Sequence, residues 1–343
     1  MNHRKLISKE AWNFSKGKTG SKKLPRNSSE FVITQGFSIP VKIGRCISRY
    51  GKQVNVVTLD KFENPIEPPV KCSLRANLDH IVVGDIVRFS DDGESNIVLS
   101  VDDRKSIIER INSQGKIKLL AANIDQMIIV TSPKFKQELV MLDRYLITSE
   151  LIGVKALIII NKHDLLQNNK KLKEFTADFY SRYNKIGYEI LQTSTFNEKG
   201  FEELQDHLKR QNSIFTGQSG VGKSSIIKTL LPEEAIKIGT QRSHSPLGRH
   251  TTSVAKWYFL DNGGAIIDSP GIRSFGLKRL TSDELEKGFV EISKNAKSCQ
   301  FRNCKHQTEP NCSVKDAVQQ GKISSQRLNS FHYILNEVSL KNG

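Results

Sequence analysis

A glycine-rich stretch at residues 217–225, GQSGVGKSS, has the residue types and spacing of a phosphate-binding loop. It matches the pattern G-x-x-x-x-G-K-[ST] in full, and it lies between a predicted strand, SIFTG, and a predicted helix. The glycines let backbone N–H groups surround phosphate oxygens, the lysine reaches the β- and γ-phosphates, and the serine hydroxyl binds Mg²⁺. The residues predicted to bind nucleotide here are Gly217, Gln218, Ser219, Gly220, Val221, Gly222, Lys223, Ser224 and Ser225.

A second motif, Asn161-Lys162-His163-Asp164, follows the predicted strand ALIII and selects the base. The Asp164 carboxylate can accept hydrogen bonds from N1–H and the exocyclic amine of guanine, a pair of donors that adenine lacks. The aliphatic stem of Lys162 can lie along the base, and Asn161 can tie this loop to the phosphate loop. The nucleotide is therefore predicted to be GTP or GDP. A backbone contact to the guanine oxygen is predicted for Thr193, Ser194 and Thr195, after the strand YEILQ.

The remaining phosphate-side residues follow the loop in the chain. Asp268, in the sequence Asp-Ser-Pro-Gly after an apolar strand, stands where a carboxylate holds Mg²⁺ through water. The N–H of Gly271 is predicted to meet the γ-phosphate. Either Thr251 or Thr252, in a long polar loop, supplies a further Mg²⁺ ligand beside Ser224, and the sequence leaves both open.

The order of these motifs is rotated, because GTPases ordinarily carry the phosphate loop before N-K-x-D. Strands and helices alternate from DQMIIVTS to GAIIDSP, which predicts a doubly wound, mostly parallel sheet. All the ligand-binding loops of such a sheet lie at one edge, so a circular permutation of the chain leaves the site intact.

The chain is predicted to contain three domains and a basic arm. Residues 1–35 are predicted to form a disordered arm, and five short strands in 36–105 predict a small β-barrel of the OB-fold type. Residues 106–276 form the permuted P-loop domain, and 277–343 form an α-helical domain that begins near a capping box, Thr281 to Glu284.

Composition limits the classes of partner. Lys and Arg number 52 against 36 Asp and Glu, a net charge of +16, which favours a polyanion, most often nucleic acid and less often an anionic membrane surface. A merely basic soluble protein stays open as the alternative. No apolar run approaches the roughly 20 residues of a membrane span, so we expect a cytoplasmic protein.

Three of the five cysteines crowd between 299 and 312, as expected of a metal site in a reducing cytosol. Cys299, Cys304, His306 and Cys312 supply three thiolates and one imidazole, the full tetrahedral set for one structural Zn²⁺. Cys46 and Cys72 fall on predicted strands of the barrel and are expected to be small core residues.

Taken together, AANIDQMIIV, NKHD, GQSGVGKSS, LGRHTT, DSPGIRSFGL and the cysteine cluster resemble the RsgA (YjeQ) family of circularly permuted, small-subunit biogenesis GTPases. The resemblance covers roughly residues 36–343. It implies an OB-fold, a permuted GTPase domain, a zinc domain and binding to the small ribosomal subunit and its rRNA, and we expect a monomer. It also suggests His250 as the catalytic residue. Ser253 departs from the family's threonine run, and Ile272 stands where many GTPases have a water-orienting glutamine.

Two other classes of function share some of these features. An rRNA-binding scaffold would use its nucleotide site only to stabilise the fold, and phosphate release would distinguish it from an enzyme. A P-loop kinase or ATPase is disfavoured by Asn161-Lys162-His163-Asp164 and by the absence of a second substrate signature in the sequence.

Overall fold

The computed structural model describes residues 31–34, 37–91, 96–111, 116–134, 139–231, 255–268 and 280–342. Its strands are β1 (Phe31–Thr34), β2 (Phe37–Tyr50), β3 (Gln53–Thr58), β4 (Val70–Leu74), β5 (Ile86–Ser90), β6 (Ile97–Val101), β7 (Ile107–Ile111), β8 (Ile117–Ala122), β9 (Gln126–Thr131), β10 (Lys155–Ile160), β11 (Glu189–Gln192), β12 (Asn212–Gly217), β13 (Lys256–Phe259) and β14 (Ala265–Asp268). Its α-helices are α1 (Leu139–Ile152), α2 (Lys170–Ile186), α3 (Phe201–Leu208), α4 (Lys223–Leu230), α5 (Ser282–Gly288), α6 (Val290–Ala296), α7 (Ser313–Gln319) and α8 (Ser325–Asn342). None of these helices is long and apolar enough to cross a membrane.

The N-terminal strands form the predicted OB-fold barrel. Strands pair in the order β2–β3–β4–β6–β5, and β5 returns to pair with β2, which closes the barrel. Only β4 and β6 pair in parallel among these barrel strands. Cys46 and Cys72 are fully buried in the barrel core with Phe89, as expected of small core residues.

The predicted arm and the start of the barrel overlap in the structure. Residues Phe31–Thr34, the last part of the predicted arm, form β1 and pair antiparallel with β2. The remainder of the arm lies outside the described residues.

The central sheet places the strands of the P-loop domain in the order β11–β10–β9–β12–β14–β13. Its first five strands are parallel. Successive residues of each strand point to opposite faces of the sheet, and helices cover both faces. On β9, Met127 and Ile129 contact the layer that contains α1 and α2, whereas Ile128 and Val130 contact the layer that contains α3 and α4. The predicted doubly wound sheet is therefore confirmed.

The edge strand β13 joins the sheet to the barrel. It runs antiparallel to β14 and pairs with β2 through Lys256 and Ser48. Beside this junction the buried guanidinium of Arg45 lies 4.4 Å from the centre of the Trp257 ring, and its Nη1 donates to the carbonyl of Gly84 at 3.3 Å. A hairpin of β7 and β8, which the sequence analysis did not predict, lies along the chain between barrel and sheet.

The C-terminal helices share a core with the central domain. Ile147 of α1 packs among Leu285, Phe289, Phe331 and other buried residues of α5 to α8. Helix α5 begins with the predicted capping box, in which Thr281 and Glu284 exchange hydrogen bonds. The C-terminal segment is thus packed directly against the helix that follows β9.

A buried guanidinium fixes this contact. Arg327 of α8 donates to Asp143 of α1 at 2.5 Å and to Glu291 of α6 at 2.6 Å, and its side chain and that of Asp143 are each 1% exposed. Tyr183 of α2 also donates to Asp143 at 2.8 Å, and its ring, like that of Phe289, lies beside the guanidinium. These carboxylates raise the pKa of Arg327 although burial opposes its charge, so the ion stays charged.

Replacing this arginine should destabilise the protein strongly. In Arg327→Met the two carboxylates lose their counter-ion inside the protein, which typically costs about 3–5 kcal/mol. The matched control is Arg144→Met, because Arg144 pairs with the more exposed Glu337 and its loss should cost below about 1 kcal/mol. Urea unfolding followed by circular dichroism measures both. Equal midpoints for the two variants would show that the buried network does not hold the domains together.

Candidate nucleotide site and metal centre

The phosphate loop connects β12 to α4 and depends on glycine backbone geometry. Gly217, Gly220 and Gly222 have φ angles of 127°, 82° and 102°, in the region that glycine adopts without strain. A Cβ atom on Gly217 would lie 2.2 Å from the carbonyl oxygen of Val130, so this strand end also requires close backbone approach. Val221 is buried beneath the loop and anchors it, while the tips at Ser219 and Gly220 are exposed.

The charged side chains of the phosphate side converge at this loop. Lys223 donates from Nζ to the carbonyl of Gly217 at 2.7 Å and to that of Gln218. Ser224 and Ser225 are exposed on the first turn of α4. Asp268 ends β14, in register with Phe215 of β12, which brings its carboxylate to the same edge of the sheet.

Burial raises the pKa of Asp268, and the charges of Lys223 and Lys256 partly oppose that shift. The serine hydroxyl and this carboxylate are the hard oxygen donors that Mg²⁺ prefers, so the described residues fit the predicted metal.

Asn161 ties the loop of residues 161–164, which is predicted to read the base, to the phosphate loop. Its side chain is fully buried, its Nδ2 donates to the carbonyl of Val221 at 2.9 Å, and its Oδ1 accepts from Thr193 Oγ1 at 3.1 Å. Lys162 has a left-handed backbone (φ 62°) and donates from Nζ to the carbonyl of Gly220 at 2.7 Å. The ends of β10, β11 and β12 are therefore joined through side chains.

The carboxylate of Asp164 is positioned by Ser194. Ser194 Oγ donates to Asp164 Oδ1 at 2.6 Å, and the His163 N–H donates to the carbonyl of Thr193 at 3.0 Å. Sequence reasoning had assigned Ser194 only to a backbone contact with the base. A serine one strand away gave no local signal of this further contact. His163 lies 2.8 Å from Lys199 Nζ, and burial together with that charge lowers the pKa of the imidazole.

Four predicted site residues lie outside the described part of the chain. These are the candidate catalytic residue and three phosphate-side residues, namely His250, Thr251, Thr252 and Gly271. Their roles stay predictions.

The cysteine cluster comes together as predicted. The ligand atoms of Cys299, Cys304, His306 and Cys312 lie within 4.8 Å of one another. His306 Nδ1 is 3.7 Å from Cys299 Sγ and 3.4 Å from Cys312 Sγ, and the two sulfurs are 3.9 Å apart. A tetrahedral zinc ion with bonds of about 2.3 Å to sulfur and about 2.0–2.1 Å to nitrogen separates its ligand atoms by about 3.6–3.8 Å. The donor set and its spacing fit structural zinc.

Sequence reasoning missed a fifth residue of this centre. Glu286, on α5, lies 3.1 Å through Oε2 from Nε2 of His306, the ring nitrogen that faces away from the sulfurs. Such a carboxylate fixes the tautomer and orientation of a metal-binding imidazole. Because Glu286 and His306 are 20 residues apart and on different elements, no motif spacing indicates the contact.

Comparison with known proteins agrees with this geometry. The model of the RsgA GTPase family matches residues 101–278. Small ribosomal subunit biogenesis GTPase RsgA of Hahella chejuensis is 38% identical over 340 residues, 96% of this chain and 95% of the relative. The protein of the same name from Pseudomonas fluorescens SBW25 is 36% identical over 343 residues, which cover 98% of this chain and 98% of that protein.

Two solved structures share the fold. YjeQ from Thermotoga maritima superposes with a TM-score of 0.70 at 28% identity, covering 87% of this chain and 98% of that protein. YloQ, described as a circularly permuted GTPase, gives a TM-score of 0.68 at 25% identity, and the superposition covers 88% of this chain and 96% of YloQ.

Fold and site thus define a circularly permuted GTPase, an enzyme that hydrolyses GTP. The chain belongs to the RsgA GTPase family. Membership implies GTP, GDP and Mg²⁺ as ligands, and the Cys₃His cluster is compatible with zinc.

Adding one methyl group at Gly222 should weaken nucleotide binding. A Cβ atom there would lie 2.2 Å from Asn161 Nδ2, so Gly222→Ala must displace the side chain that joins the two loops. Gly187→Ala is the matched control, because Gly187 also has a positive φ (111°) but its Cβ would meet nothing within 4 Å. Both variants should lose some stability from backbone strain. We expect only Gly222→Ala to weaken GDP binding, by about tenfold or more, in calorimetric titration. Equal affinities in the two variants would refute the role of the link.

Removing the carboxylate behind the imidazole should weaken the metal centre. Glu286→Gln should lower zinc affinity by about 10–100-fold, because the amide supports the imidazole less well. Asp283→Asn, an exposed position on the same helix, is the control. Zinc release to a competing chelator measures both, and identical release curves would exclude a supporting role for Glu286.

Proposed function

We propose that this GTPase binds the small ribosomal subunit and assists its late maturation, with GTP hydrolysis controlling the bound state. The observation that carries the nucleotide part is the buried Asn161 side chain, which joins the base-reading loop to the phosphate loop as one site. The partner is inferred from the relatives, which are named for small ribosomal subunit biogenesis.

In this proposal Asp164 reads guanine. Its carboxylate accepts from the N1–H and the exocyclic amine of the base, while Ser194 holds one carboxylate oxygen. Lys162 lies along the base with its Nζ fixed on the phosphate loop. The N–H groups of Thr193 and Ser194 donate to the carbonyls of Ile160 and Lys199, so of the three predicted residues only Thr195 is proposed to donate its N–H to the guanine oxygen. A half-buried carboxylate held by Ser194 rejects adenine, because its lone pairs would then lack donors.

Hydrolysis proceeds by in-line attack of water on the γ-phosphate. The bond from water oxygen to phosphorus forms as the bond to the bridging oxygen breaks, and negative charge moves to the β-phosphate. Loop N–H groups and Lys223 stabilise that charge, and the positive end of α4 adds to their field. Ser224 and Asp268, with Thr251 or Thr252, would hold Mg²⁺, which neutralises phosphate charge when bound. His250 is the proposed water-orienting group, since isoleucine stands at position 272.

Charge supports an rRNA partner. The chain carries a net charge of +16, and Lys294, Lys297, Arg302 and Lys305 are all exposed around the zinc centre. Such side chains bind phosphate groups and release counter-ions, so binding should weaken as salt rises. We propose that the protein acts as a monomer. We propose a cytoplasmic location, where ribosomal subunits are available.

Multiple-turnover phosphate release tests this proposal directly. Turnover of GTP should be slow for the protein alone and should increase when small subunits, but not large subunits, are added. A rate that small subunits leave unchanged would favour the scaffold interpretation, in which nucleotide only stabilises the fold.

Base preference provides the residue-level prediction. In Asp164→Asn, Ser194 can still donate to the side-chain oxygen, and the amide nitrogen then offers a donor to the C2 carbonyl of xanthine. The ratio of kcat/KM for GTP to that for XTP should fall by about a hundredfold or more. Asp206→Asn, an exposed position on α3, is the control and should keep the wild-type ratio. An unchanged ratio in Asp164→Asn would refute the base-reading assignment.

A further inference from the structure

The exposed aromatic residue Phe196 lies near Asp164, whose carboxylate is proposed to read the base. Phe196 is 87% exposed, the highest value among the large hydrophobic side chains of the described residues. It sits in a tight loop after β11 that is closed by a hydrogen bond from the Ser194 N–H to the Lys199 carbonyl at 3.1 Å. Lys199 Nζ in turn lies 2.8 Å from His163 of the base-reading motif. The loop is thus fastened to the nucleotide site at two points.

Two successive hydrogen bonds connect Phe196 to Asp164. The Phe196 N–H donates to Ser194 Oγ at 3.3 Å, and the same oxygen donates to Asp164 Oδ1 at 2.6 Å. The backbone of Phe196 is therefore held within about 6 Å of the carboxylate that would bind the edge of guanine. A phenyl ring attached at that distance can reach the base.

The sheet order separates Phe196 from Lys162. Strand β10, which leads to Asp164, lies between β11 on one side and β9 followed by β12 on the other. Lys162 extends toward the phosphate loop after β12, where its Nζ donates to Gly220, whereas Phe196 comes from the β11 side. The Nζ of Lys162 and the backbone of Phe196 therefore lie on opposite sides of β10 along the sheet.

We propose that the Phe196 ring stacks on the face of guanine opposite the stem of Lys162, so that the base lies between them. This inference rests on the proposed guanine site and adds a base-contacting residue to it. Stacking would bury an aromatic side chain that is otherwise in water, and aromatic rings stack on any base, so Phe196 adds affinity while Asp164 supplies the choice of base.

Nucleotide affinity of the full-length protein tests the proposal. Phe196→Ala should raise the Kd for GDP and for GTP by about fivefold to a hundredfold, the range that stacked aromatics show in alanine substitutions. Phe196→Tyr and Phe196→Trp should restore affinity to near the wild-type value. Phe62→Ala is the matched control, because Phe62 is a 72% exposed phenylalanine on the barrel loop between β3 and β4. The Phe62→Ala variant should bind GDP with the affinity of the wild type.

Tryptophan fluorescence measures the contact between residue 196 and the base directly. The indole of Phe196→Trp should be quenched on addition of GDP, since a stacked guanine quenches it. The wild-type protein, which contains Trp12 and the buried Trp257, gives the background signal to be subtracted. Absence of quenching together with unchanged GDP affinity of Phe196→Ala would overturn the stacking proposal. A variant that binds GDP normally but loses small-subunit binding would also overturn it and would assign Phe196 to the ribosome.

Failure of this inference is distinguishable from failure of the proposed function. If Asp164→Asn changes base preference while Phe196→Ala keeps wild-type GDP affinity, only the stacking proposal is wrong. If the wild-type protein binds no guanine nucleotide, both are wrong.

Discussion

The site depends on one buried amide. Asn161 has no access to water, and it makes its two hydrogen bonds to Val221 and Thr193, which belong to two other loops. An unpaired polar group at such a depth costs about 1–3 kcal/mol, so the three loops keep their relative positions together or lose them together. These bonds connect the loops through space, and the order in which the loops occur along the chain does not affect them. This is the physical reason that a rotated motif order is compatible with an intact nucleotide site.

Both flanking domains are attached to elements that lead from this site. The barrel is joined through the pairing of Ser48 with Lys256, which in turn pairs with Asp268 at the end of β14. The C-terminal domain is joined through Arg327, which reaches Asp143 on the helix after β9. Any shift of β13 or α1 that accompanies a change of nucleotide would therefore be carried to surfaces outside the sheet. Order and disorder of phosphate-contacting loops is a common source of such shifts in GTPases.

Much of this arrangement could be predicted from sequence because local patterns determine it. Short runs of alternating apolar and polar residues predicted the barrel, and the spacing of glycine and lysine predicted the phosphate loop. The antiparallel direction of β13 was not anticipated. Only residues 260–264 separate β13 from β14, and this connection is too short to join parallel strands. The β7–β8 hairpin was not predicted because its strands, IIERI and IKLLAA, do not alternate strictly and their pairing contains a register shift. Tertiary contacts had none: Arg327 reads as an ordinary surface residue of a helix, and Glu286 reads as an exposed carboxylate, until packing brings each to its partner.

The central claim is that nucleotide state controls binding to the small subunit. Co-sedimentation of the full-length protein with purified small and large subunits, in GDP and in a non-hydrolysable GTP analogue, tests it most directly. The account predicts that the protein sediments with small subunits more tightly in the analogue-bound state and does not sediment with large subunits. Equal binding in both nucleotide states, or equal binding to both subunits, would contradict it.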